Sequence, residues 1–264
     1  MKTWEQFEID CTNYLNTNFG SYAKFTHKGA EDSTTPDILV ETNSGDTFFI
    51  EAKHSPAQCG QFVLLPNLET QSFDYSSLNA NRINTYAEMI MKHMDSKFDA
   101  FREAGTSGKD IVMPNDKEVF SSWVVDTYAH KNVRFFITNN YTILPLERFS
   151  KYFEITAKYR IKRSGSSGVG KSSTTLVANH IKDTFIDIDS VESTTDGKLF
   201  AYATANIHDR RFIFNGYEYM FSKRDDRFEI RKLSNTYNAN VIFSIQNDPT
   251  IQGLSDDEFI SCLK

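Results

Sequence analysis

The chain has 264 residues, of which 39% are hydrophobic and 24% are charged, and its formal net charge at pH 7 is −6. This length is enough to bury a sizeable core, either in one large domain or in one domain with an elaboration. The net negative charge argues against nonspecific coating of nucleic acid, although it leaves room for a local basic cleft.

The three cysteines, Cys11, Cys59 and Cys262, are an odd number and have no metal-ligand spacing. They therefore indicate neither a disulfide framework nor a zinc ribbon, and a reducing cytoplasm fits this composition. No apolar run approaches the roughly 18 residues that a membrane span needs. The first ten residues lack the apolar core of a signal peptide. We expect a cytoplasmic protein without a membrane partner.

The N-terminal half is predicted to alternate helices and strands. Trp4, Phe7, Cys11 and Leu15 recur at helical spacing and predict the first helix. The other elements expected here are a strand at 21–27, two strands around a turn at 43–46, a loop-rich segment at 54–78, a helix at about 79–102, a surface loop at 105–118, a strand at 133–138 and a short helix at 145–152.

The C-terminal half is predicted to be mostly antiparallel strands. A strand at 155–163 precedes a meander at about 184–245, in which Asn215-Gly216 suits a tight type I′ hairpin turn. A last helix is expected at 256–263. The whole pattern predicts an α/β (α+β) fold, in which a central mixed sheet flanked by helices carries a C-terminal antiparallel β-rich elaboration. We place the boundary between 155 and 156 and expect both parts to pack as one globular unit.

The pattern most informative about chemistry is Pro36-Asp37 followed by Glu51-Ala52-Lys53. Because side chains alternate along a strand, Glu51 and Lys53 share one face of the strand at 47–53. A buried strand end is a costly place for two charges unless each has a partner. Asp37 opens the preceding strand and returns beside residues 51–53, and the sequence leaves open which of the three it faces.

Two carboxylates at strand ends form an oxygen-rich site that suits Mg²⁺, which binds few protein carboxylates together with waters and phosphate oxygens. A lysine beside such a site can position or deprotonate a water, or neutralise charge that develops on a phosphate. Glu8 lies on or beside the apolar stripe of the first helix. It is either a glutamate at the helix border or a further group of the same site.

Pro36-Asp37, an apolar strand, a turn and Glu51-Ala52-Lys53 resemble the PD-(D/E)XK nuclease superfamily. The helix with Phe7-Glu8 and a glutamine soon after the lysine, Gln58 or Gln61, are similar to that superfamily as well, and the resemblance covers roughly residues 3–140. It implies Mg²⁺-dependent phosphodiester cleavage with Asp37, Glu51 and Lys53 as catalytic residues. Asp37 and Glu51, with Glu8 as a further candidate, would be the metal ligands. A surface hairpin with an incidental ion pair is the alternative.

Within the superfamily, a chain of this size resembles a type II restriction endonuclease, with a restriction-endonuclease-like core at 1–155 and a DNA-recognition part at 156–264. The resemblance implies sequence-specific cutting of double-stranded DNA that leaves 5′-phosphates, and a homodimer, because two strands must be cut. Repair nucleases and nucleases directed at modified DNA share such a core. A non-catalytic DNA-binding module is the alternative from another class.

A basic strand and a Ser/Gly loop form a second candidate site. By strand alternation, Lys158, Arg160 and Lys162 share one face, and cations beside free amides and hydroxyls suit a DNA backbone. A solvated loop beside a charged strand is the alternative. The candidate DNA-binding residues are Arg160, Lys162, Arg163, Ser164, Ser166 and Lys171.

The loop at 165–172 reads GSSGVGKS and matches the phosphate-binding loop pattern of nucleotide-binding proteins. That loop requires a buried, apolar, parallel strand before it and a helix after it. Here the preceding strand is KYRIKR, and although residues 172–181 fit a helix, the remaining residues read as an antiparallel meander. The ATPase interpretation is therefore the weaker one, and no nucleotide cofactor is expected.

Overall fold

The computed structural model describes residues 3–29, 35–163, 165–233, 237–248 and 250–264. Its helices are α1 Thr3–Phe19, α2 Thr85–Asp95, α3 Phe98–Arg102, α4 Asp116–Ala129, α5 Phe149–Tyr152, α6 Thr174–Thr184 and α7 Asp256–Leu263. Its strands are β1 Ala23–His27, β2 Ile38–Thr42, β3 Thr47–Ala52, β4 Ala57–Asn67, β5 Ser72–Tyr75, β6 Lys109–Ile111, β7 Val133–Thr138, β8 Thr142–Pro145, β9 Phe153–Arg163, β10 Ser166–Gly168, β11 Ser190–Ser193, β12 Leu199–Tyr202, β13 Arg211–Phe214, β14 Tyr217–Arg224, β15 Arg227–Leu233 and β16 Tyr237–Asn247.

The chain divides into two compact units, Met1–Ile161 with Ala239–Lys264 and, separately, Lys162–Asn238. The expected boundary between 155 and 156 leaves the C-terminal residues with the second part, whereas in the structure β16 and α7 belong to the first unit. β16 does so because it pairs with β4, far upstream in the chain. No described helix is long and apolar enough to cross a membrane.

The first unit contains a mixed five-stranded sheet in the order β1-β2-β3-β7-β8. β3 and β7 are parallel, and the other neighbours are antiparallel. Buried side chains of α1 and α7, among them Leu15 and Phe259, pack with Ile50 of β3 in one core. The predicted mixed sheet flanked by helices is therefore confirmed.

A second five-stranded sheet of this unit has the order β5-β4-β16-β9-β6. Its buried residues form another core with helices α2 and α4, in which Trp123 of α4 stacks on Phe243 of β16 with ring centroids 4.3 Å apart. β3 contributes to both cores of the unit. Phe48 and Ile50 face the core with α1, whereas Phe49 packs against the core with α4, which confirms the predicted alternation along this strand.

The second unit is an antiparallel sheet in the order β11-β12-β15-β14-β13, with β10 paired to β15. Helix α6 packs against it through Val177 and Ile181, which lie in the same core as the strand residue Phe221. The hairpin between β13 and β14 turns at Asn215 and Gly216, whose φ angles are 49° and 76°. Both central residues have positive φ, as a type I′ turn requires. The predicted antiparallel elaboration is confirmed, but the meander expected at 184–245 is not, because β12 pairs with β15 and β16 pairs with β4 in the first unit.

Three expectations for the first unit were wrong. The segment 54–78 contains β4 and β5, because the exposed glutamines and Gly60 of β4 hide its buried positions in the sequence. The helix expected at 79–102 is two helices, α2 and α3, separated at residues 96–97. The expected loop at 105–118 contains β6 and the start of α4, a helix that the sequence analysis missed.

Candidate active site

The antiparallel register of β2 and β3 sets the position of Asp37. Ile38 lies opposite Ile50, so the next position along the ladder places Asp37 opposite Glu51. The Asp37 carboxylate reaches one residue further and accepts a hydrogen bond from the backbone N of Ala52 at 2.9 Å through Oδ2. The structure thus selects one of the registers that the sequence left open.

Glu51 and Lys53 form a close ion pair at the end of β3. Lys53 Nζ lies 2.6 Å from Glu51 Oε1 and 3.8 Å from Asp37 Oδ2. Burial by itself lowers the pKa of Lys53, but the carboxylates of Glu51 and Asp37 outweigh it and hold that pKa well above its ordinary value. Lys53 is therefore a permanent cation between two buried carboxylates.

Asp37 is only 8% exposed, and its surroundings disfavour the ionised form of its carboxyl group. Burial and the nearby charges of Glu51 and Glu8 raise its pKa to about 8, against the opposing effect of Lys53 and of the hydrogen bond from Ala52. The carboxyl groups of Asp37, Glu51 and Glu8 share this site with one lysine, and a bound cation would favour the ionised form of Asp37.

Glu8 turns out to be part of the same site and not a solvated glutamate at the helix border. It is buried, and its Oε2 lies 3.0 Å from Nε2 of His27 at the end of β1. The Cβ of an alanine at Gly29 would lie 2.5 Å from Glu8 Oε2 and 3.0 Å from Asp37 Oδ1. The two carboxylates therefore border one small space, which is open because residue 29 is a glycine.

The first unit contains a cleft of about 490 Å³, which is lined by Glu8, Asp37, Glu51 and Lys53. Gln58 and Gln61 of β4 line it as well, and Gln58 Nε2 donates to Gln61 Oε1 at 3.2 Å. The cleft thus brings together six residues that the sequence analysis selected: Glu8, Asp37, Glu51, Lys53, Gln58 and Gln61.

The donor set of this cleft fits a hard divalent cation. Within the described ranges, no three His, Cys, Asp or Glu side chains are close enough to hold a metal ion by themselves. Mg²⁺ does not need such a group, because it keeps several waters and takes only one or two carboxylates from the protein. The space beside Gly29, which a Cβ would fill, is bordered by oxygen atoms of Asp37 and Glu8.

The sequence analysis missed residues of the cleft that come from α4 and β1. Tyr128, in the last turn of α4, donates from its hydroxyl to Glu51 Oε1 at 2.9 Å. Lys131 follows this helix and also lines the cleft. His27 binds Glu8. No short motif marks them, because their partners lie 19 and 77 residues away in the sequence.

Residues of the second candidate site belong to different units. Arg160 is half-buried on β9 in the first unit, and its Nε finds no hydrogen-bond partner among the described residues. Lys162 and Lys171 are exposed residues of the second unit, and Arg163 ends β9. Ser166 accepts from Arg231 Nε through Oγ at 3.0 Å. Ser164 lies outside the described residues.

The Ser/Gly loop has the wrong sheet context for a nucleotide-binding loop. Ser166–Gly168 pairs antiparallel with β15, and the preceding β9 pairs antiparallel with β6. A helix does follow, from Thr174. The phosphate-binding loop of nucleotide-binding domains instead connects a strand of a parallel sheet to its helix.

Comparison with known proteins supplies one strong match. No protein-family model and no curated protein matches this chain. Among solved structures, the HhaI endonuclease in complex with DNA is 38% identical in sequence, and the match covers 95% of this chain and 93% of that chain with a TM-score of 0.69. The shared mixed α+β fold thus extends over nearly the whole length of both proteins, and the chain belongs to the HhaI endonuclease family.

Proposed function

We propose that the chain is a Mg²⁺-dependent, sequence-specific endonuclease for double-stranded DNA, of the type II restriction class and with a PD-(D/E)XK site. The observation that carries the proposal is the convergence of Asp37, Glu51 and Lys53 in one cleft, with Lys53 Nζ 2.6 Å from Glu51 and 3.8 Å from Asp37. The match to an endonuclease in complex with DNA supports the same activity.

Asp37 and Glu51, with Glu8 as a further candidate, would hold the Mg²⁺ ion. When bound, the ion supplies positive charge to the phosphate oxygens and makes water more acidic. Asp37 and Glu8 have oxygen atoms on the space beside Gly29, and Glu51 Oε2 accepts no hydrogen bond from any described residue. Asp37 Oδ1 and Glu51 Oε2 are therefore available to a cation, whereas Glu8 Oε2 already bonds to His27.

Lys53 acts in this proposal as a donor. Because its pKa is held well above the ordinary value by Glu51 and Asp37, it stays protonated and aligns the attacking water or stabilises charge that builds on the phosphate. The water oxygen attacks phosphorus and the bond to the 3′-oxygen breaks, which releases a 3′-hydroxyl and a 5′-phosphate. The attacking water gives one proton to solvent, and the departing 3′-oxygen takes one up from solvent.

The second candidate site would contact the same DNA as the cleft. Lys162 and Lys171 are exposed cations, and Arg160 keeps an unpaired Nε among the described residues. We propose that they, with Arg163, Ser164 and Ser166, contact the phosphate backbone or base edges. This is a weaker proposal than the one for the cleft, because Ser166 already binds Arg231.

Digestion of a plasmid of known sequence tests the activity. We expect discrete bands that require Mg²⁺, disappear with EDTA and do not need ATP. Asp37→Ala should abolish cutting and preserve DNA binding, whereas Asp99→Asn, a change at an exposed aspartate paired with Arg102, should leave cutting intact. Full activity of Asp37→Ala would sink the site assignment. Binding without cutting by the wild type would favour the non-catalytic module.

The same digestion tests the expected homodimer. One chain carries one cleft with Asp37, Glu51 and Lys53. Two copies bound together would linearise a supercoiled plasmid in one binding event. A single copy would have to visit the two strands in turn, and a nicked circle would then accumulate first. Accumulation of the nicked form at a rate linear in enzyme concentration would contradict the homodimer.

A further inference from the structure

Tyr128 closes the side of the active site that faces helix α4. Its side chain is buried, and its hydroxyl lies 2.9 Å from Glu51 Oε1. Its ring packs edge-on against Phe136 of β7, with centroids 5.1 Å apart. β7 runs parallel to β3, on which Glu51 lies. The helix and the sheet together hold the phenol against the carboxylate.

The direction of this hydrogen bond is fixed. The Tyr128 hydroxyl donates and Glu51 Oε1 accepts, because an ionised carboxylate has no hydrogen to donate. Tyr128 and Lys53 are thus the two groups that donate to Glu51.

Both donors of Glu51 bind the same oxygen. Tyr128 and Lys53 each bond to Oε1, at 2.9 Å and 2.6 Å. Oε2 accepts from no described residue. A carboxylate held through one oxygen by two donors at fixed positions cannot rotate freely, so its second oxygen stays available in one orientation.

We propose that Tyr128 is a positioning residue, whose hydroxyl orients Glu51 so that the carboxylate can bind a divalent cation through Oε2. This inference rests on the proposed function, since it assigns Tyr128 to the same metal site. Without the hydroxyl, Glu51 keeps only Lys53 as a donor to Oε1, and Lys53 is shared with Asp37. The carboxylate can then turn, and part of its affinity for the cation is lost.

Tyr128→Phe separates this role from packing, because it keeps the ring against Phe136 and removes one oxygen. The matched control is Tyr159→Phe. Tyr159 is a fully buried phenol that donates to the backbone oxygen of Leu64 at 2.8 Å and does not line the cleft. Both variants lose one buried hydroxyl, and only one of them loses a contact to Glu51.

The first measurement is Mn²⁺ binding without DNA, followed by electron paramagnetic resonance. Tyr128→Phe should weaken binding about 10-fold, as loss of a group that supports a metal ligand typically does. Tyr159→Phe should bind as the wild type does. In a Glu51→Gln background, Tyr128→Phe should cause no further loss, because the carboxylate that the hydroxyl orients is gone.

The second measurement is the Mg²⁺ concentration that gives half-maximal DNA cleavage. It should rise about 10-fold in Tyr128→Phe and stay unchanged in Tyr159→Phe. Unchanged Mn²⁺ binding and Mg²⁺ requirement in Tyr128→Phe would overturn the role of Tyr128 and leave the proposed endonuclease intact. Failure of the wild type to cleave any DNA contradicts the proposed function instead, and Mn²⁺ binding then still tests Tyr128.

Discussion

Asp37 has two oxygen atoms with different surroundings. Oδ2 accepts from the backbone N of Ala52 and lies 3.8 Å from Lys53 Nζ. Oδ1 borders the space beside Gly29, together with Glu8. Burial and the negative charge of Glu51 raise the pKa of Asp37 to about 8. A cation would bind the ionised form of Asp37. Without a bound cation, this ionised form destabilises the folded protein.

Replacement of Asp37 by asparagine should stabilise the fold. Below about pH 4 the Asp37 carboxyl is neutral in both the folded and unfolded states, so it does not change the free energy of unfolding. Between about pH 4 and 8 it ionises in the unfolded state but stays largely neutral in the folded state, which favours unfolding. The stability of the wild type relative to Asp37→Asn should therefore fall as pH rises through this window.

In EDTA at pH 8, we expect Asp37→Asn to be more stable than the wild type by about 1–2 kcal/mol, with a smaller difference at pH 5. Urea unfolding at the two pH values measures it. A variant that is less stable than the wild type at pH 8 would show that the ion pair with Lys53 outweighs burial.

At the scale of elements, the site lies where β1 and β3 end and β2 begins, beside the N-terminal half of α1. α1 supplies Glu8, the ends of β1 and β2 supply His27, Gly29 and Asp37, and β3 supplies Glu51 and passes directly into Lys53. The backbone N of Gly29 donates to the backbone oxygen of Asp37 at 3.3 Å, so the chain after β1 is tied to the start of β2. The carboxylates meet because these ends are held together.

Gly29→Ala should damage the site with little effect on the fold. The added Cβ would approach Glu8 Oε2 to 2.5 Å and Asp37 Oδ1 to 3.0 Å, so at least one carboxylate must move. We expect cleavage to fall at least 10-fold, as small displacements of catalytic groups typically cause. The melting temperature should change by only a few degrees.

A Glu8→Ala background provides the control for this change. Shortening residue 8 removes the closer of the two obstacles, so Gly29→Ala should cost less there than in the wild type. Equal losses in both backgrounds would mean that the methyl group does not act through Glu8.

The sequence allowed good prediction of elements whose buried positions alternate regularly, and poorer prediction of elements that are irregular or follow a polar segment. β3 was predicted because Phe48, Ile50 and Ala52 alternate cleanly. α4 was missed although Phe120, Val124 and Tyr128 recur at helical spacing, because its first turn lies in the polar segment 105–118 that was interpreted as a loop. β4 was missed because Gly60, with φ of 129°, packs against Trp123 at an irregular point of the strand.

The candidate site was predictable as far as it is local in sequence. Asp37, Glu51 and Lys53 lie within one hairpin, so strand alternation and a short turn suffice to bring them together. Tyr128 reaches the site only through the packing of α4 on the sheet, 77 residues after Glu51. Partners at that separation leave no periodic pattern in a single sequence.

At the scale of the whole molecule, charge is unevenly distributed between the two units. Residues 162–238 contain 12 Lys and Arg against 10 Asp and Glu, although the whole chain has 29 against 35. The second unit is thus slightly basic in an acidic protein. This balance supports the proposal that exposed cations such as Lys162 and Lys171 meet DNA.

Lys171→Ala should weaken DNA binding in a salt-dependent way. If Lys171 contacts one phosphate, its loss should reduce the slope of log K against log salt concentration by about 0.9. The cleavage pattern should stay the same, because a phosphate contact carries no base information. Binding of labelled DNA at several salt concentrations measures the slope. An unchanged slope would show that Lys171 is only solvated.

The position of β16 in its sheet has a consequence for how the protein is made. β16 lies between β4 and β9. The backbone N of Asn247 at its end donates at 2.8 Å to Oγ of Ser55, a residue that lies two positions after Lys53. A ribosome produces Asp37, Glu51 and Lys53 long before this strand, because Asn247 follows Ser55 by 192 residues. A chain that terminates before β16 therefore contains Asp37, Glu51 and Lys53 but lacks the strand that joins β4 to β9.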